Sequence, residues 1–126
     1  MQTMEQQRAK HVWECLNRVN TAQRKEYLTC VKSLPATVLM AGLGQAAAML
    51  AAKGAKDVAQ KIVYEALESW LCRQDELAPF AGGNGLLPSI MNSSRDEYLS
   101  AQREALLWLE WLKKLAVARL AQEGEG

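Results

Sequence analysis

Residues 34–54 read LPATVLMAGLGQAAAMLAAKG, and this stretch decides the fold. It is apolar nearly all round, which is typical of a helix in the centre of a bundle. Proline suits the first turn of a helix and disfavours helix in the residue before it, so we expect a buried helix from Pro35 to Lys53. Gly42 and Gly44 each cost such a helix about 1 kcal/mol relative to alanine. Their lack of side-chain bulk predicts that a neighbouring helix approaches closely there.

Helical periodicity extends outward from this stretch in both directions. Two helices are predicted before it, at about 5–19 and 22–33. The first should bury one face, formed by Ala9, Val12, Trp13, Leu16 and Val19. After the central stretch, a helix is predicted at about 57–73, and the capping sequence Asp57-Val58-Ala59-Gln60 begins it. Its core face should consist of Ala59, Ile62, Val63, Ala66, Leu67 and Trp70.

The C-terminal part combines a long loop with a long helix. Residues 74–93 contain two prolines and three glycines and form the longest predicted loop, with one short turn near Pro88–Met91. The capping sequence Ser94-Arg95-Asp96-Glu97 starts a last helix that reaches about Ala121. The prediction is an all-α, compact single-domain bundle of about five or six helices over residues 1–126, with frayed ends at 1–4 and 122–126.

Composition bounds the class of protein. The chain has 126 residues, 49% hydrophobic and 23% charged, which suits one globular domain. Fifteen basic and fourteen acidic residues give a net charge of +1, which argues against a polybasic protein. The charges divide unevenly, because residues 1–63 carry +5 and residues 64–126 carry −4. Either one side docks anions, or the imbalance is spread over solvated helix faces.

The sequence predicts a cytoplasmic protein without a membrane span. Residues 1–7 are polar and show no apolar core of a secretory signal. Cys15, Cys30 and Cys72 are odd in number and far apart, which fits packing residues in a reducing compartment. The longest apolar stretch, Val38 to Ala52, is shorter than the roughly 20 residues of a membrane helix.

The sequence contains few candidates for catalytic or metal-binding residues. His11 is the only histidine and is predicted on the outer face of the first helix, with no nucleophile placed beside it. Glu65 and Glu68 form a Glu-x-x-Glu step, which holds Mg²⁺ in all-α nucleotide pyrophosphatases when a second acidic pair faces it. A phosphate loop requires Lys-Ser/Thr and a helix start after its glycines. The glycine-rich segment 82–85 is followed by no Lys-Ser/Thr and by no predicted helix start. We expect no catalytic residue, metal or cofactor, with a metal-dependent hydrolase using Glu65 and Glu68 as a weaker alternative.

Two segments resemble a known family. The first contains Tyr27-Leu28, Val31, Leu34-Pro35, Gly42-Leu43-Gly44-Gln45, Ala48 and Leu50. The second contains Tyr98-Leu99, Glu104-Ala105-Leu106, Leu109, Trp111-Leu112-Lys113 and Ala116. In order, spacing and length, roughly residues 8–120 resemble the small helical subunit of the type III-B CRISPR effector, the Cmr RNA-silencing complex. The residues that carry the resemblance are mostly apolar, so they indicate the fold and no binding residue.

The resemblance implies a non-catalytic member of an antiviral ribonucleoprotein. Copies of the small subunit would stack into a short filament beside the backbone subunits that grip the guide RNA. The implied partners are the other Cmr subunits, above all the backbone subunit and further copies of itself, together with guide RNA and target RNA. No small-molecule substrate is implied. A helical adaptor that binds proteins without RNA contact is the main alternative function.

Basic residues on outer helix faces are the candidates for RNA-backbone contact. A phosphate contact needs a cation that no acidic neighbour already neutralises. Lys61 is set aside because Asp57 and Glu65 lie four residues to either side of it. Lys25 and Lys32 share the outer face of the second helix, and Lys53 and Lys56 bracket Gly54 at a helix corner. Arg18 and Arg24 are second-rank candidates.

The last helix carries two apolar stripes. The expected core stripe consists of Tyr98, Ala105, Leu109, Leu112, Ala116 and Leu120. A second stripe lies more than 90° away around the helix and consists of Leu107, Trp108, Trp111 and Leu115. It is either a docking face for a neighbouring subunit or the second contact of a helix between two layers of its own domain.

Overall fold

The computed structural model describes residues 1–121, and the expected frayed end at 122–126 lies outside them. The described part has five α-helices: α1 (Met4–Cys15), α2 (Arg24–Gly54), α3 (Val58–Leu71), α4 (Leu86–Asn92) and α5 (Arg95–Ala116). Two 3₁₀ turns, Leu16–Arg18 and Thr21–Gln23, join α1 to α2, and a π turn, Val117–Ala121, extends α5. With no strand in residues 1–121, the predicted all-α single domain with a long C-terminal helix is confirmed.

Helix α2 passes through Pro35 without a break, so the predicted helix start at that residue is wrong. Proline fixes φ close to its helical value and removes only one backbone donor. Side-chain hydroxyls on either side donate to backbone carbonyls of the same helix, Ser33 to Cys30 at 3.1 Å and Thr37 to Ser33 at 3.2 Å. The helix therefore accommodates the proline within one continuous element.

The break in α2 lies at Gly42, where φ is 89° and ψ is 160°. A second half of the helix starts there, and its first N–H groups need acceptors. Leu43 donates to Oε1 of Gln102 at 2.8 Å, and Gly44 donates to the Tyr98 hydroxyl at 2.9 Å. A Cβ at Gly42 would lie 3.0 Å from that hydroxyl oxygen. The predicted close approach at these glycines is confirmed, and the approaching helix is α5.

The α2 helix is not buried all round, which corrects the prediction of a central buried helix. Its inner face supplies the core residues Tyr27, Val31, Leu34, Val38, Leu43 and Leu50. Leu39 and Met40 are exposed, the latter with 88% of its surface open to solvent. Thr21–Gly54 has the length and composition of a membrane helix, with a mean hydropathy of 1.5 over an 18-residue window that is 39% buried. Core helices of soluble proteins satisfy that criterion too.

Helix α3 packs as the sequence predicts. All six predicted core residues are buried, from Ala59 to Trp70. Asp57 caps the helix by accepting from the Ala59 N–H at 2.9 Å, whereas the Gln60 side chain accepts from the Cys30 thiol at 3.3 Å. The predicted N-cap is therefore present, and Gln60 is used to join α3 to α2.

Capping hydrogen bonds start both α1 and α5. Thr3 lies in the segment expected to fray, yet its hydroxyl accepts from the Gln6 N–H and its own N–H donates to the Gln6 side chain. The capping box predicted at Ser94 and Glu97 is present, with hydrogen bonds of 3.1 and 2.8 Å.

The predicted loop at residues 74–93 contains the short helix α4, near the expected turn. It begins at Leu86, directly after the glycine-rich segment, so the expectation that no helix starts there is wrong. Gly85 has a φ of 111°, which turns the chain into the helix. Phe80 and Leu86 are buried, so this segment is packed onto the core.

Candidate functional site

Two of the predicted RNA-backbone lysines lie on the open face of α2. Lys25 and Lys32 are both exposed, and the exposed Thr29 lies between them, its hydroxyl donating to the Lys25 carbonyl at 3.0 Å. Within residues 1–121 neither ammonium group forms an ion pair. Their charges are therefore available to an anion in solution.

The corner between α2 and α3 gathers three lysines. Lys53 and Lys56 are exposed on either side of Gly54, as predicted. The backbone of Lys61 packs against Gly54, where an added Cβ would lie 3.1 Å from the Lys61 Cα atom. The absence of a side chain at Gly54 thus allows the two helices to meet. We call Lys53, Lys56 and Lys61 the corner lysines.

The ion pairs expected to occupy Lys61 are not formed in residues 1–121. The Asp57 carboxylate caps α3, and the Glu65 carboxylate pairs with Arg18 at 3.0 Å. No ion pair of Lys61 is found in the described part of the chain, and its side chain is exposed. Both expected partners are committed elsewhere, which the local sequence does not reveal.

The two candidate arginines differ from the lysines because they are engaged within the chain. Arg18 is exposed but donates to Oε1 of Glu65 at 3.0 Å. Arg24 is half-buried at the first residue of α2, has a buried Nε atom and interacts with other groups of the protein. Both are weaker candidates for phosphate contact than the lysines.

The acidic step of the hydrolase alternative is also engaged in structural contacts. Glu65 pairs with Arg18, and Glu68 accepts the Leu86 N–H through Oε2 at 2.8 Å, at the start of α4. In residues 1–121 no group of three or more His, Cys, Asp and Glu side chains is placed to hold a metal ion. The Glu-x-x-Glu step therefore joins helices and segments of the fold.

His11 points into the protein, which corrects its predicted place on the outer face of α1. Its ring lies between Trp70 and Trp108, with centroids 5.0 and 5.7 Å away. Nδ1 accepts from Nε1 of Trp108 at 3.0 Å, and Nε2 lies 3.0 Å from the Ser69 hydroxyl. Burial, together with the nearby Arg73 charge, lowers the pKa of His11 to about 4. The ring is therefore a neutral structural group at neutral pH.

A nearly buried ion pair that no sequence pattern indicates joins α1 to α5. Arg8 donates to both carboxylate oxygens of Glu104, at 2.6 and 2.9 Å, and Nε1 of Trp70 donates to the same group at 3.0 Å. Burial alone would raise the pKa of Glu104. The hydrogen bonds from Arg8 and Trp70, together with the positive charges of Arg8 and Arg73, instead hold this pKa below its usual range. Positions 8 and 104 are joined only by the packing of α1 on α5, so no sequence spacing indicates the pair.

The cysteines behave as packing residues in the described chain. All three are free. Burial raises the pKa of Cys15 and of Cys30 to about 11, so both are protonated thiols at neutral pH.

The second apolar stripe of α5 is only partly open to solvent. Trp108 has none of its surface exposed, so the prediction that it belongs to an exposed docking face is wrong. Helix α1 packs over this side of α5 and encloses Trp108 with His11. Leu107 is 40% exposed, and Trp111 and Leu115 are half-buried. We call these three residues the outer stripe.

A groove of about 190 Å³ opens beside the outer stripe, between the start of α1 and the middle of α5. We call it the α1–α5 groove. Its apolar lining comes from Leu107 and Trp111, and its charged lining comes from Glu5, Glu110 and Lys114. The combination of a tryptophan and two carboxylates distinguishes this surface from the lysine faces.

The fold defines a small all-α protein that exposes two kinds of surface, one basic and one partly apolar. A family model described as CRISPR-associated protein (Cas_Cmr5) matches residues 4–119. Because the match spans nearly the whole sequence, the chain belongs to this family and is a Cmr5-type small subunit of the type III-B CRISPR Cmr complex. The family predicted from the two sequence segments is confirmed. No curated protein matches the chain.

Proposed function

We propose that this subunit is a non-catalytic structural component that acts in the cytoplasm. It stacks with further copies of itself beside the backbone subunits and contacts guide or target RNA through the phosphate backbone. Family membership supports a place in the complex. The lysine faces support the RNA contact, and the outer stripe supports the contact with neighbouring subunits.

The observation that carries the RNA proposal is the availability of the lysine charges. Lys25, Lys32 and the corner lysines are exposed and form no ion pair within residues 1–121. Lysines that neutralise phosphates release counterions, which stabilises binding without reading sequence. Between Lys25 and Lys32 the one aromatic residue, Tyr27, is buried, so backbone contact is favoured over base stacking on this face.

The outer stripe favours contact with a protein partner. Leu107, Trp111 and Leu115 place apolar surface on the solvent side of α5. Tryptophan is enriched among the residues that dominate binding energy at protein interfaces. Trp111 is therefore the proposed anchor for the neighbouring subunit, and Trp108 stabilises the core beneath it.

Charge reversal in the assembled complex tests the RNA contact. We expect Lys25→Glu with Lys32→Glu to weaken target RNA binding and to reduce the slope of log affinity against log salt by roughly 1.4, the value for two lost single-strand contacts. Lys53→Glu with Lys56→Glu tests the corner in the same way. Lys113→Glu, an exposed lysine on α5 away from both faces, is the matched control.

The same titration separates the proposal from its alternative. Normal incorporation with unchanged RNA affinity and an unchanged salt slope in both double variants would favour a helical adaptor without RNA contact. Each double variant changes the charge by twice as much as Lys113→Glu, so a loss of binding free energy no larger than twice that of Lys113→Glu would show a general charge effect and reject the two faces as RNA sites.

A further inference from the structure

Trp111 differs from the other tryptophans in what covers its indole. Arg119 lies over the Trp13 ring at 4.8 Å, and Arg73 lies over the Trp70 ring at 3.7 Å. The Trp108 ring packs against His11. Among residues 1–121, no cationic or aromatic side chain covers the ring of Trp111, and this half-buried residue lines an open groove.

Carboxylates stand beside this uncovered ring. Glu5 is oriented by Arg8, whose Nη1 lies 3.0 Å from Oε1 of Glu5 while its other nitrogens bind Glu104. Glu110 has Lys114 as its ion-pair partner in the described chain, at 4.0 Å, and both side chains are largely exposed. An exposed pair at that distance is weak and is easily exchanged for a better cation.

The geometry points to a basic side chain of a neighbouring protein subunit as the occupant of the α1–α5 groove. The arginine or lysine would lie over the Trp111 indole and pair with the carboxylates of Glu110 and Glu5. The inference rests on the proposed docking of the outer stripe and adds the chemistry of the partner. The partner's cation would contact Trp111 in the way that Arg119 contacts Trp13 and Arg73 contacts Trp70.

Three physical arguments favour this occupant. Tryptophan is the best aromatic partner for a cation, and the contact strengthens where water is excluded. Arg8 is shared between two carboxylates and Lys114 faces one, so these ion pairs keep an excess of negative charge at the groove, which favours a cation over phosphate. The volume of about 190 Å³ is below the roughly 300–1,000 Å³ of small-molecule sites, which fits one inserted side chain.

Photo-crosslinking in the purified complex identifies the occupant directly. The photoreactive residue benzoylphenylalanine replaces Leu107 at the groove, or Leu99, an exposed α5 residue outside it, as the control. We expect residue 107 to link to a partner-protein segment containing arginine or lysine, with the link lost in Glu110→Lys. A link to RNA, a link to a segment without a basic residue, or no link from residue 107 while residue 99 reacts would overturn the inference.

Substitutions separate a cation site from plain apolar docking. We expect Trp111→Leu, which keeps apolar bulk but removes the indole face, and Glu110→Lys each to weaken incorporation into the complex about tenfold. Trp111→Phe, which keeps an aromatic face, should lose less. Normal incorporation of both Trp111→Leu and Glu110→Lys would contradict the inference, and thermal unfolding of each variant verifies that it folds.

One further variant distinguishes failure of this inference from failure of the proposed docking. Leu107→Glu adds a charge to the outer stripe without altering the indole. If it blocks incorporation while Trp111→Leu and Glu110→Lys have no effect, the face docks apolar surface and the cation site is wrong. If all three variants incorporate normally, the outer stripe is not an interface.

Discussion

The carboxylate of Glu104 joins three helices at a single point. It lies on α5 and accepts hydrogen bonds from Arg8 on α1 and Trp70 on α3. His11 packs beside it against Trp70. These contacts fix how α1 lies on the bundle, and α1 in turn forms one wall of the α1–α5 groove.

Removing the charge of Glu104 should destabilise the fold. In Glu104→Gln, the nearly buried Arg8 loses its two-point partner and keeps only the exposed Glu5 carboxylate as counter-ion, which costs on the order of 2 kcal/mol. Urea unfolding measures the loss. The control Glu110→Gln alters an exposed pair and should change stability by less than about 1 kcal/mol. Equal losses in the two variants would contradict the structural role of Glu104.

Stability should fall in acid because of His11. The unfolded imidazole binds a proton near pH 6.5 and the folded one only near pH 4. Between these values the unfolded state binds more protons, so stability is lost as the pH falls from about 6.5 to 4, by up to about 3 kcal/mol. His11→Gln should remove this part of the pH dependence, measured by urea unfolding at each pH. A slope in this variant as steep as in the unmodified protein would reject His11 as its source.

Helical periodicity could not place every residue of α1. It put Trp13 on the core face, yet the Trp13 side chain is 49% exposed and carries Arg119 on its ring. The face that is buried includes Arg8 and His11. A hydrophobic pattern does not identify such a face, because its polar groups are satisfied by partners distant in sequence.

At the scale of elements, the features that depend on neighbouring residues were predictable. The Asp57 and Ser94 caps and the core face of α3 are present as the sequence indicates. The position of the break in α2 was not, because it depends on α5. The N–H groups exposed by the break at Gly42 find acceptors on Gln102 and Tyr98, whereas Pro35 needs no such partner.

Alanine substitution of the two α2 glycines tests this explanation of the break. Gly42→Ala should cost about 1–3 kcal/mol, because φ is 89° and the new Cβ would meet the Tyr98 hydroxyl at 3.0 Å. At Gly44 the same contact is 3.4 Å, so Gly44→Ala should change stability by less than about 1 kcal/mol. Urea unfolding compares the pair. Equal effects would indicate that the backbone at Gly42 is not constrained by α5.

For the second stripe of α5, the sequence does not show which residues another helix covers. The helical wheel separates Trp108 from the core stripe, yet Trp108 is fully buried because α5 contacts α2 on one side and α1 on another. Leu107 and Trp111 lie at the edge of the α1 contact and keep part of their surface open. Periodicity identified the stripe but not which of its residues a second helix covers.

At the scale of the whole molecule, the fold decides which charges remain available. Exposure of Lys25 and Lys32 could be predicted from their heptad spacing on one outer face. The availability of Lys61 could not, since it depends on the ion pair between Arg18 and Glu65, which are 47 residues apart in sequence. The basic surface proposed for RNA is therefore larger at the α2–α3 corner than the sequence indicated.

We propose above all that this subunit works inside an RNA-bearing complex. The most direct measurement is affinity purification of the chain from its native cells, followed by identification of the co-purified proteins and RNA. We expect a multi-subunit particle that contains the other Cmr subunits and short RNA of guide length. Recovery of the chain alone, without partner proteins and without RNA even at low salt, would contradict it.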